Sequence, residues 1–434
     1  MKQISIPANN RPPLSRHFPS GIVYPAQMET QALGQLRIRC TTDGVAPVPG
    51  ATVSITAPNN PTQVIEQLTT DESGLTPDVP LQAPPIDLSL EPSEIQPYSE
   101  YDLRITAPNL ESVFFSGIQI LADQRAEQNV EMLSPATDSS HSTYVILPHT
   151  LYYEYPPKIP EAEVKPTDES GEIVLSRVVV PEFVVVHDGP PASQATNHYV
   201  RFRDYIKNVA SSEIYATWPE QTIYANVLAI LSFTMNRVYT EWYRNQGYNF
   251  TITSSTAYDH KWINGRNIFN NIGLAVDSIF TNYLSRPGIV QPILTQYCDG
   301  NRVSCPGWMT QWGSKSLGDQ NYSAIEILRH FYGDSMYINT AVEVSGVPVS
   351  WPGSDLTLGS DGDAVRTIQN QLNRISDVYT AIPKVAVDGN FGPQTAEAVS
   401  AFQSIFDLPV TGVVDQRTWY RISNIYVGVT RIGQ

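Results

Sequence analysis

The chain has 434 residues, 41% of them hydrophobic and 16% charged, so it is ordinary globular protein and too long for one hydrophobic core. Forty-three acidic against 27 basic residues give a formal charge of −16, which opposes nucleic acid and other polyanions as partners. No stretch approaches the roughly 20 consecutive apolar residues of a membrane span, and residues 1–19 hold no apolar run of the kind a secretory signal requires.

In chain order, residues 1–33 form an N-terminal extension without periodicity. Residues 34–133 alternate in short runs: Leu36, Ile38 and Cys40, then Val53 and Ile55 between threonines and serine, then Tyr101, Leu103 and Ile105. Turn-forming Pro, Gly, Asn and Asp clusters separate these runs, a pattern that predicts an antiparallel β-sandwich. Residues 134–150 open with "SPATDSSHST", a polar stretch that reads as an exposed, protease-accessible linker. The following "HTLYYEYPPKIPEAEVKP" mixes aromatics with prolines and predicts an extended segment laid on a surface.

The period changes within residues 151–345. Val200, Tyr205, Ile206, Val209 and Glu213 share one helical face, and Ile223, Val227, Ile230, Leu231, Thr234 and Val238 share another. Pro219 opens that second helix, where its missing N–H is harmless. Phe269 to Leu284 also reads as helix, Gln291 to Tyr297 as strand, and Ala324 to Tyr332 as a further helix. Residues 355–434 form a small separate domain of three helices, with Pro393 at one helix start and Asp415 as an N-cap. The expected fold is therefore α+β and multidomain, with an N-terminal β-sandwich, a mixed α/β middle domain and a three-helix C-terminal domain.

Five stretches resemble known families. "GVAPVPGATVSI" with "TTDESGLT" resembles the transthyretin-like or carboxypeptidase-regulatory β domains. Asp388-Gly389-x-Phe391-Gly392-x-x-Thr395-x-x-Ala398-Val399-x-x-Phe402-Gln403 resembles the three-helix peptidoglycan-binding modules, with Phe391 and Phe402 expected in the core. "YIKNVASSEIYATWPEQTIYANVLAILSF" and "PGWMTQWGSKSLGDQNYSAIEILRHFYG" resemble, in the right order, two blocks of the lytic transglycosylase domain of stage II sporulation protein D. The resemblance implies Glu213 as the acid that protonates the glycosidic oxygen, a role suited to a carboxyl on a buried face. It implies a saccharide groove at Thr310, Gln311 and Trp312, where Trp312 replaces a tyrosine and Leu231 replaces an arginine. Ser254, Ser255, Thr256, Tyr258, His260, Trp262 and Arg266 form a polar and aromatic loop that lines a cleft or serves as scaffold. A hydrolase would use a second carboxylate, for which Asp259 and Asp299 are the candidates. Cys298 and Cys305, with six residues between them, read as a disulfide or two buried thiols, since no histidine stands at zinc-ligand spacing. His187 reads as structural.

The order of parts over the whole chain resembles the clostridial spore cortex-lytic enzymes, which are made as precursors and cut by a subtilisin-like serine protease at germination. That implies a pro-region up to about residue 140 with cleavage between Ser134 and Tyr144, peptidoglycan as partner, no cofactor or metal, and a place in the spore cortex and coat region. A missing Sec signal fits such a location. A phage or injection-system wall hydrolase and a non-catalytic wall-binding protein are the alternatives.

Overall fold

The computed structural model describes residues 32–58, 60–135, 141–165 and 175–430. Most of the N-terminal extension and the middle of the expected linker lie outside the described residues.

Nine strands make up the first part of the chain: β1 (Ala32–Thr42), β2 (Ala46–Pro47), β3 (Thr52–Ala57), β4 (Asn60–Thr69), β5 (Val79–Ala83), β6 (Ser99–Thr106), β7 (Ser112–Ile120), β8 (Arg125–Glu131) and β9 (His141–Val145). One sheet runs β4-β3-β6-β7-β9, and the other sets β1 between β8 and β5 with β2 at its end. The apolar alternation has its expected consequence, because Leu36, Ile38, Cys40, Val53, Ile55 and Ile105 are all fully buried in one core fed by both sheets. The arrangement departs from the expected antiparallel pattern at two pairs. β1 pairs with β8 in parallel, Gln35 opposite Arg125, and β7 pairs with β9 in parallel, Ser112 opposite His141. Parallel neighbours need a crossover, and β8, lying in the other sheet, supplies the one from β7 to β9. The C-terminal half of the segment expected as linker is therefore hydrogen-bonded into a sheet edge.

The middle part holds helices α1 (Phe202–Glu213), α2 (Glu220–Tyr239), α3 (Asn270–Ile279), α4 (Gln311–Asp319) and α5 (Ala324–Tyr332). Helix α2 is buried along nearly its whole length and serves as the axis against which the others pack. Two sequence expectations are corrected here. The helix expected over residues 269–284 ends at Ile279, and Asn282–Ser285 is a strand paired with Tyr337–Thr340. Of residues 291–297, expected as a strand, only Tyr297 pairs, as Tyr297–Cys298 against Met309–Thr310. Buried side chains in 291–297 instead bond to neighbouring elements; Thr295, for example, donates its hydroxyl to Ala229 O at 2.6 Å. Tertiary packing overrides β propensity in such a run.

This middle part is continuous with the sandwich. Ile268–Phe269 adds an antiparallel strand to β8, and Asn267 exchanges hydrogen bonds with Gln119. The C-terminal part contains α6 (Asp363–Ile375), α7 (Pro393–Ile405) and α8 (Gln416–Thr430) around Val365, Ile368, Leu372, Val399, Phe402 and Trp419. Asp415 caps α8 by accepting from Thr418 N at 2.8 Å. Its loop residue Asp407 accepts from Arg37 (2.7 Å), Arg39 (2.8 Å) and Arg125 (3.0 Å), which ties this part to the outer face of β1 and β8. Among the described residues no helix is long and apolar enough to cross a membrane.

Candidate functional site

Helix α1 buries Tyr205, Ile206, Val209 and Ala210, and Glu213, its last residue, continues that face. A helix end leaves carbonyls without intrahelical partners. Here they are met from distant segments: Ser211 O by Arg266, Ser212 O by Thr150 N at 3.1 Å, and Glu213 O by the Gln311 amide at 2.8 Å. These bonds anchor the residue that carries the site's carboxyl.

The Glu213 side chain is only 3% exposed and reaches the wall of a cavity of about 480 Å³. One carboxylate oxygen accepts from the backbone N–H of Lys261 at 2.6 Å, and the other accepts from the Tyr297 hydroxyl. Burial pushes its pKa above the usual glutamate range, while the charge of Lys158, the Tyr297 hydroxyl and the Lys261 amide work in the opposite direction. Burial and the adjacent carboxyl raise the Tyr297 hydroxyl far above its ordinary range, so it stays a donor. Behind it the His260 ring lies nearly parallel, 14° from the tyrosine plane, and burial keeps that imidazole neutral. The arrangement places the Glu213 carboxyl, held by two donors, at the cavity wall.

Most of the rest of the wall comes from two segments. The strap after the sandwich contributes Tyr153, Glu154, Tyr155, Pro156, Pro157 and Lys158, and the loop after Tyr297 contributes Asp299, Arg302, Val303 and Ser304. Cys298 and Cys305 are disulfide-bonded at the base of that loop, with Cα atoms 5.8 Å apart. Asp299 braces it by accepting from the backbone N–H groups of Arg302 and Val303, each at 2.8 Å.

Of the residues singled out from sequence, Glu213, Gln311, Thr256, Cys298 and Asp299 line the cavity. Thr310, Trp312, Ser254 and Tyr258 do not. Thr310 caps α4 by accepting from Gly313 N, and Trp312 packs on Trp218 with ring centroids 5.0 Å apart. Ser254 donates to Asp188 at 2.9 Å, and Tyr258 offers its carbonyl to Arg237 at 3.1 Å. Asp259 is fully buried in an ion pair with Arg237 at 2.7 Å, and Arg237 in turn holds Glu161. His187 bonds Asn197 and Ser193 within its own turn. Sequence reasoning missed Tyr297 and Lys158. A lone lysine in a Pro-rich run and a tyrosine 84 positions from its carboxylate partner carry no local signal. Among the described residues no group of three or more His, Cys, Asp or Glu side chains is placed to hold a metal ion.

Comparison with known proteins reaches the C-terminal part. Residues 361–422 match the family described as "Putative peptidoglycan binding domain". A zinc D-Ala-D-Ala carboxypeptidase of Streptomyces albus G is 37% identical over 73 residues, which is 17% of this chain and 27% of that protein. The chain thus spans about a quarter of that relative's length, and the family match covers only residues 361–422. Among solved structures, the minor pilin GBS52 of Streptococcus agalactiae covers 25% of this chain and 48% of its own, at 14% identity and a TM-score of 0.17, too low to bear on the fold.

Proposed function

We propose that the chain is a peptidoglycan lytic transglycosylase that cleaves between N-acetylmuramic acid and N-acetylglucosamine, with Glu213 as acid and then base. The observation that carries this reading is a buried carboxyl at the wall of a cavity, held by two donors and raised in pKa by burial, in a chain whose residues 361–422 match a peptidoglycan-binding family. In the first step protonated Glu213 gives its proton to the glycosidic oxygen as the bond to C1 of the muramic acid breaks. In the second the carboxylate takes the proton of the muramic acid C6 hydroxyl as O6 bonds to C1. The products are a 1,6-anhydro end and a free 4-hydroxyl, no water is consumed, and Glu213 is again protonated. Tyr297 and the Lys261 amide stabilise the carboxylate between the two steps.

The setting follows the resemblance to spore cortex-lytic enzymes: a precursor whose residues 1 to about 140 are a pro-region, opened by a subtilisin-like serine protease at germination. The β8 pairing with Ile268–Phe269, and the hydrogen bond from Arg302 on the cavity wall to Ser93 O, support contact between such a pro-region and the middle part.

Mass spectrometry of soluble products from cortex peptidoglycan tests this, using protein cut between Ser134 and Tyr144 and its Glu213→Gln variant. Anhydro-muropeptides from the first and none from the second are expected. Reducing sugar ends would instead mean hydrolysis, with Asp299 or Glu154 on the cavity wall as the group that activates water. Equal products from both proteins, or none from either, would overturn the assignment of Glu213.

A further inference from the structure

The Lys158 side chain is half-buried at the cavity wall, where withdrawing a charge from water is costly unless it is paired. Among the described residues its hydrogen bond goes to a neutral carbonyl, that of Asp259, and it forms no ion pair with a carboxylate. It lies over two aromatic faces, 4.9 Å from the Phe233 centroid and 5.3 Å from that of Tyr297. Tyr297 is the residue whose hydroxyl holds Glu213. The lysine therefore sits behind the ring that presents its proton to the site's carboxyl.

The charged groups around it are few. Glu161, on its own strap, and Asp259, on the loop beside it, are both taken by Arg237 of α2, and Glu161 also by Lys165. His260, from the same loop, is neutral. Glu213 of α1 is the carboxyl left without a guanidinium partner. Lys261 acts on it too, through its backbone N–H and more weakly through its charge.

The geometry points to Lys158 as a positioning residue for Glu213: its ammonium, across the Tyr297 ring, is the cation against which the carboxylate formed after proton donation is held. This rests on the catalytic reading of Glu213 given above. Burial alone would make that carboxyl so reluctant to ionise that it would be a poor donor. The nearby cation offsets this, so that the carboxyl gives up its proton to the glycosidic oxygen and persists as carboxylate until the C6 hydroxyl supplies another. After burial, the charge of Lys158 is the largest influence on the Glu213 carboxyl. The lysine's own pKa, lowered by burial and raised by Glu213, stands at about 8, which leaves it mostly charged at neutral pH.

The test is a ¹³C-carboxyl NMR titration of Glu213 in the full chain, assigned by comparison with Glu213→Gln, in wild type and in the Lys158→Met, Lys158→Gln and Lys158→Arg variants. Loss of the cation in the Met and Gln variants is expected to raise the Glu213 midpoint by about one pH unit or more, and Arg is expected to keep it. In protein cut between Ser134 and Tyr144, the alkaline limb of kcat/KM moves the same way. A merely structural lysine would lower stability and leave the midpoint in place. A midpoint unchanged in whichever of the Met and Gln variants folds overturns the inference. The titration does not depend on turnover, so its failure is distinct from failure of Glu213→Gln to abolish product, which would overturn the function itself.

Discussion

Replacing Asp259 separates a structural carboxylate from a catalytic one. Its side chain is fully buried and accepts four hydrogen bonds: from Arg237 Nε at 2.7 Å, Tyr243 hydroxyl at 2.6 Å, Thr253 N at 2.9 Å and Thr253 hydroxyl at 2.7 Å. Asp259→Asn keeps the volume but removes the charge and turns one acceptor into a donor facing donors. Breaking a buried pair costs about 3–5 kcal/mol, and each orphaned donor adds to that. Arg237 keeps Glu161 through two bonds, at 2.6 and 3.0 Å, which favours the lower end, about 3 kcal/mol. For a cooperative unit of this size that is a fall in Tm of roughly 6–12 °C. Urea unfolding followed by tryptophan fluorescence reads the loss directly, and product analysis on the folded variant reads its chemistry. A loss below about 1 kcal/mol would refute the burial argument. A stable variant that no longer cleaves glycan would make Asp259 part of the chemistry.

Three further outcomes follow from the same geometry. The folded-state pKa of Glu213 lies above its ordinary value of 4.5, so its contribution to stability is fully present below that pH and is lost as pH rises through the raised value. Glu213→Gln should therefore unfold at higher urea than wild type near pH 7 and match it near pH 4, with a difference growing at about 1.4 kcal/mol per pH unit between the two pKa values; equal curves at both pH values would contradict this. Asp407→Ala leaves Arg39 without its carboxylate while Arg37 keeps Asp78 and Arg125 keeps Glu127, so docking of the C-terminal part should weaken by about 3 kcal/mol. Hydrogen exchange in β1 and the 405–408 loop should rise, and unchanged protection would count against a joint held by charge. Reducing Cys298–Cys305 should destabilise its loop by about 2–3 kcal/mol and lower kcat/KM, because Arg302, Val303 and Ser304 line the cavity; a reduced protein of unchanged activity and loop protease resistance would refute that link.

The sequence by itself determined what repeats at short range. The 3.6-residue period marked α1, α2 and the helices of the C-terminal part, Pro219 sits at the start of α2 as its position suggested, and the Asp388-to-Gln403 motif lies in a region that a family match independently recognises. Glu213 was singled out by the resemblance of its stretch to a transglycosylase block, on a helix face whose burial is visible within one turn. Only the tertiary structure decided what meets that glutamate. Tyr297 stands 84 residues away, Lys158 arrives on a strap with no periodicity, and Asp259, which looked like a rival acid, is neutralised by an arginine 22 residues back. The parallel pairing of β1 with β8, and the strand that the middle part adds to β8, were equally hidden. The physical reason is the same in each case. Periodicity records which side of one element is buried, whereas partners across tens or hundreds of residues are chosen by packing, register and the need of every buried charge and helix-end carbonyl for a counterpart.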